Sequence, residues 1–226
     1  MIYSTLKKWI GLSITCENPK SIFVGLIGGV GDLIAAAPSV AALKRKYPKA
    51  KLTFGVGDGI FFSTIKNDPN IDHFETPFTY NVWKKRGHRK AYREKYKEHD
   101  LVFLLDNGNR DWWKPQKHLM DIYAEKCGVT LEQRRPLIYL DDKDIQEAQS
   151  KLNELGITNN DKLLILSPET RSKKEMKEWP HDRFLSLIEK INNNYDFKII
   201  TFVSQENPYD YEGTIPLKGY PLGPSS

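Results

Sequence analysis

The sequence of 226 residues contains only two cysteines and has no long apolar run. Cys16 and Cys127 share neither a metal-binding nor a redox spacing, so they indicate a reducing compartment and no disulfide framework. No apolar run approaches the roughly 20 residues that a membrane-spanning helix needs, which excludes an integral membrane protein. With 39% hydrophobic and 12% aromatic residues, the composition is that of a soluble globular protein.

A secretory leader is also not expected. Lys7-Lys8 precede a short apolar stretch, Trp9–Cys16, but small and polar residues interrupt it and no small-residue cleavage site follows. Pro19-Lys20 then leads directly into the first predicted strand. We therefore expect a cytoplasmic protein, with peripheral contact at the inner face of the membrane as a further option.

Excess charge of one sign is confined to one segment. The whole chain has a net charge of +5, whereas Lys84–Lys97 alone holds eight basic residues and one acid, Glu94. This segment could meet anionic lipid headgroups or a phosphorylated acceptor, or it could be an ordinary solvated helix face. A nucleic-acid patch, with Tyr92 and Tyr96 stacking on bases, is the less favoured interpretation.

A glycine-rich turn stands at the centre of the stretch Ser21–Tyr47. A buried strand is predicted at Ile22–Ile27, and the turn that follows contains Gly28, Gly29 and Gly31 before Asp32. Glycines at the carboxyl end of a strand favour a binding turn, because they permit positive φ and close approach of a ligand. The turn is neither a dinucleotide fingerprint nor a P-loop. Asp32 is interpreted either as a helix cap or as a general base facing a cleft.

The remaining pattern predicts strands and helices in alternation, which is typical of α/β proteins. Helical spacing follows Asp32, and Pro38 predicts that regular helix starts near it or kinks there. The pattern restarts after residue 157, so we expect an N-terminal domain over residues 1–157 and a partial second domain over 158–226. In the second domain we expect only two strands, Lys162–Leu166 and Phe197–Val203, and one helix, His181–Asn192.

A polar loop, Ser167–Pro180, leaves the first strand of the second domain. It contains hydroxyl groups and four cationic side chains, and it leads into a predicted helix. Hydroxyls, cations and a helix N-terminus together suit a diphosphate. On composition alone, however, a solvated charged loop is the simpler interpretation.

Four motifs follow one another in a specific order. They are the Gly-Asp turn with small residues and a proline at Gly29–Pro38, the Tyr-Pro-x-Ala turn at Tyr47–Ala50, the proline turn at Asp68–Asp72, and the Lys-x-Trp-Pro element at Lys177–Pro180. In this order they resemble the heptosyltransferases, glycosyltransferase family 9, of lipopolysaccharide core assembly. The similarity spans Ile22–Val203, and the order is more specific than any single motif.

The resemblance implies a GT-B architecture of two Rossmann-like domains and metal-independent, inverting transfer from an ADP-heptose-like nucleotide-sugar to a saccharide acceptor. It implies no cofactor beyond this co-substrate. Asp32 would be the catalytic base, and Lys177 would neutralise the donor diphosphate. The expected substrate-binding residues are Gly28, Gly29, Gly31, His118, Thr170, Arg171 and Lys177.

One element of the family pattern is not found. Members carry a later glycine-rich Asp-Ser/Thr-Gly-Pro-x-His element that holds the nucleotide, and nothing similar occurs before Ser226. We therefore expect a fragment or a short form of such an enzyme. The alternative is a non-catalytic binding module that recognises an acceptor and ignores a donor.

Overall fold

The computed structural model describes residues 16–78, 88–105, 117–170 and 174–219. The chain separates into two compact units, the first ending at Leu140 and the second beginning at Asp141. This separation lies 17 residues before the expected boundary at 157/158 and assigns one additional helix to the second unit. Both units contain parallel sheets, which confirms the α/β class.

The first unit is built around a parallel sheet with the strand order β3-β2-β1-β4. Its described elements are β1 (Ser21–Leu26), α1 (Val30–Lys46), β2 (Lys51–Gly55), α2 (Ile60–Ile65), β3 (His73–Glu75), α3 (His88–Lys95), β4 (Leu101–Leu105) and α4 (Leu119–Cys127). Ile22, Phe23 and Val24 of β1 are completely buried, as expected for a central strand with both faces covered. Since β1 is an inner strand, its carboxyl end lies between the ends of β2 and β4 on the carboxyl-terminal side of the sheet.

Helix α1 begins at Val30, so the expectation that regular helix starts near Pro38 is wrong. Pro38 lies inside the helix and is buried. Proline removes one backbone hydrogen bond, but Leu33, Val40 and the other buried residues of α1 cover one face of the sheet. Burial of this apolar face offsets the lost bond and keeps the helix intact across the proline.

An aromatic cluster covers the opposite face of the first sheet. Phe23 stacks on Tyr96 with a ring-centroid distance of 3.7 Å, and Phe78 and Tyr92 complete the cluster. Tyr92 and Tyr96 are each only 4% exposed. These two rings are packed in the core and are not available to stack on nucleic-acid bases, so that part of the nucleic-acid interpretation is wrong.

The second unit contains a parallel sheet with the order β5-β6-β7. Its described elements are α5 (Asp142–Glu154), β5 (Leu163–Leu166), α6 (Lys174–Lys177), α7 (His181–Asn194), β6 (Lys198–Val203) and β7 (Ile215–Lys218). The expectation of only two strands is wrong, because β7 pairs with β6. Proline is rare in strands but is tolerated on an edge strand such as β7. Because of Pro216, the sequence pattern did not predict this strand.

Both faces of the second sheet are covered, although not evenly. Ile188 of α7 packs on one face, and the residues that follow α5, including Ile157, pack on the other. This cover does not extend to β5. Ile165 on β5 is 61% exposed, whereas its pairing partner Ile200 on β6 is only 2% exposed. No helix in the described ranges combines the length and the apolar composition needed to cross a lipid bilayer.

Candidate functional site

The turn between β1 and α1 requires a glycine because a side chain would not fit, and not because of unusual backbone angles. Gly28, Gly29 and Gly31 do not have positive φ, so the conformational reason for expecting glycines there is wrong. A Cβ atom on Gly28 would lie 2.5 Å from the carboxylate of Asp32. The same atom on Gly29 would lie 3.6 Å from Asp32, and on Gly31 it would meet nothing within 4 Å. Gly28 is thus the glycine that Asp32 requires.

Asp32 serves as a helix cap and still presents a partly exposed carboxylate. It is the third residue of α1, and its Oδ2 accepts a hydrogen bond of 2.6 Å from the backbone N–H of Gly29, the N-cap residue. Its Oδ1 accepts a second bond, of 3.1 Å, from the hydroxyl of Tyr123. The capping interpretation is therefore confirmed, and it leaves the second interpretation open because the same carboxylate can also accept a proton.

Tyr123 belongs to this site, and the sequence analysis missed it. It lies on α4, which packs against α1, and its side chain is completely buried. The sequence did contain a signal that Tyr123 is buried. The buried face of α4 consists of residues at helical spacing, namely Met120, Tyr123, Ala124 and Cys127. A tyrosine on a buried face needs a hydrogen-bond partner for its hydroxyl group.

His118 is placed at the N-terminus of α4. Its Nδ1 accepts a hydrogen bond of 3.3 Å from the backbone N–H of Met120, so the side chain caps the helix. In the neutral ring, Nε2 then carries the proton and can act as a donor. The side chain is exposed. Its expected role in acceptor binding stays a prediction.

The loop after β5 is held by carboxylates that the sequence analysis did not single out. The Glu169 carboxylate accepts hydrogen bonds from the backbone N–H of Ser204, at 2.6 Å, and from its hydroxyl, at 2.8 Å. The backbone N–H of Thr170 donates to Glu178 Oε1 at 2.8 Å. Because Ser204 directly follows β6, the first pair ties the loop to the carboxyl end of the neighbouring strand. The loop is thus anchored at its start and is more than a solvated segment.

The cationic part of the loop lies beside the start of α7. Lys177 is the last residue of α6 and is exposed, whereas Arg171 lies outside the described residues. Trp179 packs edge-on against Phe184 with a ring-centroid distance of 5.3 Å. Helix α7 then begins without a side-chain cap at Pro180. Within the described part of the loop, Lys177 and the first turn of α7 are the groups suited to a diphosphate.

The basic segment Lys84–Lys97 is described only in part. Two of its lysines pair with acids, since Lys95 Nζ lies 2.7 Å from Glu75 and Lys97 Nζ lies 2.6 Å from Glu94. The bond to Glu75 raises the pKa of Lys95, which stays charged. The other basic side chains lie outside the described residues. Contact of this segment with an anionic membrane stays a prediction.

The protein has two α/β units, each with a parallel sheet; the first has a Gly-Asp turn after its central strand and the second has a cationic loop, which fits the GT-B architecture. A family model described as glycosyltransferase family 9 (heptosyltransferase) matches residues 81–213, more than half of the chain. The chain belongs to glycosyltransferase family 9. A search of curated protein sequences gave no significant match.

Solved structures show the same fold. A family 9 glycosyl transferase from Veillonella parvula DSM 2008 is similar with a TM-score of 0.64 and 17% identity over 89% of this chain and 70% of that one. The E. coli ADP-heptose lipopolysaccharide heptosyltransferase II has a TM-score of 0.54 at 13% identity, over 88% and 72%. E. coli heptosyltransferase WaaC with ADP has a TM-score of 0.54 at 16% identity, over 89% and 75%. These matches confirm the GT-B fold class.

Proposed function

We propose that this chain transfers a heptose-like sugar from a nucleotide-diphosphate sugar to a saccharide acceptor, with Asp32 as the general base. The observation that carries the proposal is the Asp32 carboxylate, which is partly exposed and held at the carboxyl end of the central strand of a parallel sheet. Ligands of open α/β sheets bind outside the carboxyl ends of the strands. This position supports the proposal that Asp32 meets an acceptor hydroxyl.

The proposed step is a single inverting displacement without a metal ion. The acceptor hydroxyl gives its proton to the Asp32 carboxylate while its oxygen forms a bond to the anomeric carbon of the sugar. The bond from that carbon to the diphosphate breaks on the opposite face, and the diphosphate leaves with the electron pair. Lys177 and the N-terminus of α7 would stabilise the negative charge of the leaving diphosphate.

The base is tested by Asp32→Asn. We expect the transfer rate to fall by about 10²- to 10⁴-fold, because the amide cannot accept the proton. The assay measures release of nucleoside diphosphate from ADP-heptose in the presence of a lipopolysaccharide-core saccharide. Asp58→Asn, which changes an exposed acid in the turn after the neighbouring strand β2, is the matched control. Turnover of Asp32→Asn within a few-fold of the parent would exclude the role.

The donor loop is tested by Lys177→Ala. Loss of a charge-assisted contact to phosphate is expected to weaken ADP binding about tenfold, as measured by titration calorimetry. Lys190→Ala, which removes an exposed lysine near the other end of α7, should leave the affinity unchanged. Equal affinities of Lys177→Ala and the parent would remove Lys177 from the donor site.

The proposal extends to the acceptor and to its location. We propose that the acceptor is a saccharide of the lipopolysaccharide-core type. We further propose that the protein binds it at the inner face of the membrane, where the basic side chains of Lys84–Lys97 would lie near anionic headgroups. Titration of the parent chain with ADP and, separately, with the saccharide examines the binding-module alternative. A chain that binds the saccharide and ignores ADP would be such a module and not a transferase.

A further inference from the structure

The carboxylate of Asp32 is constrained on three sides. Oδ2 accepts the bond from the backbone N–H of Gly29, Oδ1 accepts the bond from Tyr123, and the missing side chain of Gly28 leaves the space that the carboxylate occupies. Two bonds to two different oxygens fix rotation of the carboxylate about its Cβ–Cγ bond. The Gly29 contact belongs to the helix cap, whereas the Tyr123 contact comes from another helix.

The hydroxyl of Tyr123 is the part of this contact that packing does not explain. Its ring is completely buried in the main core of the first unit, where a phenylalanine would fill the same apolar space. The hydroxyl reaches Asp32 Oδ1 at 3.1 Å. An ionised carboxylate only accepts hydrogen bonds, so the tyrosine is the donor.

We propose that Tyr123 is a positioning residue, which orients the Asp32 carboxylate so that a remaining lone pair faces the acceptor hydroxyl. This inference rests on the proposed function of Asp32. The acceptor proton goes to Asp32, and Tyr123 keeps its own proton throughout. Preorganised groups contribute to catalysis because no reorientation is needed when the substrate arrives.

The first test needs no turnover. Carboxyl groups of the full chain are amidated with a water-soluble carbodiimide and glycine ethyl ester, and the rate at Asp32 is followed by mass spectrometry. Tyr123→Phe should raise this rate about fivefold, because Oδ1 loses its hydrogen bond.

Tyr96→Phe is the matched control for this labelling. It removes another buried tyrosine hydroxyl that bonds to a carboxylate of the same unit, that of Glu75 at 2.5 Å. It should raise labelling of Glu75 and leave the rate at Asp32 unchanged. Equal Asp32 rates in Tyr123→Phe and the parent would overturn the proposal.

The second test uses the transfer assay. Tyr123→Phe should lower kcat about tenfold and leave the KM for both substrates within about twofold, because the hydroxyl acts on the base and not on binding. A rise of KM with unchanged kcat would contradict a positioning role. If the parent chain shows no transfer, the proposed function fails, while the labelling result still decides whether Tyr123 holds Asp32.

Discussion

At the scale of single residues, Gly28 has the most restricted position in the turn between β1 and α1. The Cβ atom of any other residue at position 28 would lie 2.5 Å from the Asp32 carboxylate, which is too close for two non-bonded atoms. Gly31, three residues later, has open space around its Cα atom. Gly28 therefore cannot take a side chain without moving Asp32, whereas Gly31 can.

These two glycines lead to opposite expectations for substitution by alanine. Gly28→Ala should lower the free energy of unfolding by about 1–3 kcal/mol, because the added methyl group displaces the Asp32 side chain from its cap. Gly31→Ala, inside α1, should raise it by up to about 1 kcal/mol, because alanine is the better helix former. Urea unfolding of both variants measures the difference. A Gly28→Ala protein as stable as the parent would contradict this packing.

At the scale of elements, one carboxylate joins the starts of β1 and β4. Asp100, just before β4, accepts hydrogen bonds from the backbone N–H groups of Lys20 at 2.7 Å and Ser21 at 3.1 Å. The bond from Lys20 and those from Ser21 hold the pKa of Asp100 below its usual range. The ionised form is therefore favoured by the fold.

The lowered pKa of Asp100 predicts a pH-dependent contribution to stability. The contribution is fully present above the unfolded value of about 4 and is lost as the pH falls through the lower folded value. Asp100→Asn should therefore be less stable than the parent by about 1 kcal/mol at pH 7, with a difference that shrinks below pH 4. Denaturation curves over this pH range provide the measurement, with Glu98→Gln, an exposed neighbour, as control. A difference that stays constant with pH would show that charge is not the cause.

At the scale of the whole molecule, the two edge strands of the second sheet differ in how far they discourage further strand pairing. Edge strand β7 contains Pro216 and Lys218, two residues that discourage further strand pairing. Edge strand β5 is a run of four aliphatic residues, and Ile165 on it is 61% exposed. In the described part of the chain, β6 is the only strand paired with β5.

The exposed edge of β5 predicts concentration-dependent self-association. Ile165→Lys should lower light scattering at high protein concentration without lowering the melting temperature, because the side chain has little burial to lose. Ile138→Lys changes another exposed isoleucine, 50% accessible, that lies in no strand. It should leave scattering unchanged, and an equal effect of both variants would point to charge alone.

Much of the fold could be predicted from the sequence, because its signals are local. The strand at Ile22–Ile27, the helix that ends before Gly128 and the alternation of strands and helices follow from periodicity and glycine stops. The start of α1 and the strand β7 could not, since Pro38 and Pro216 oppose local propensity and only burial and pairing overcome it. The order of motifs led to the correct family.

The sequence by itself indicated the class, the family and the candidate base, since these follow from local periodicity and from the order of short motifs along the chain. Only the tertiary structure decided what surrounds that base. Tyr123 is 91 residues from Asp32 in sequence, and the packing of α4 against α1 brings its hydroxyl to the carboxylate. In the same way, pairing of β5 with β6 brings Ser204 to Glu169. Contacts between distant segments depend on how buried faces pack, and local patterns do not specify that packing.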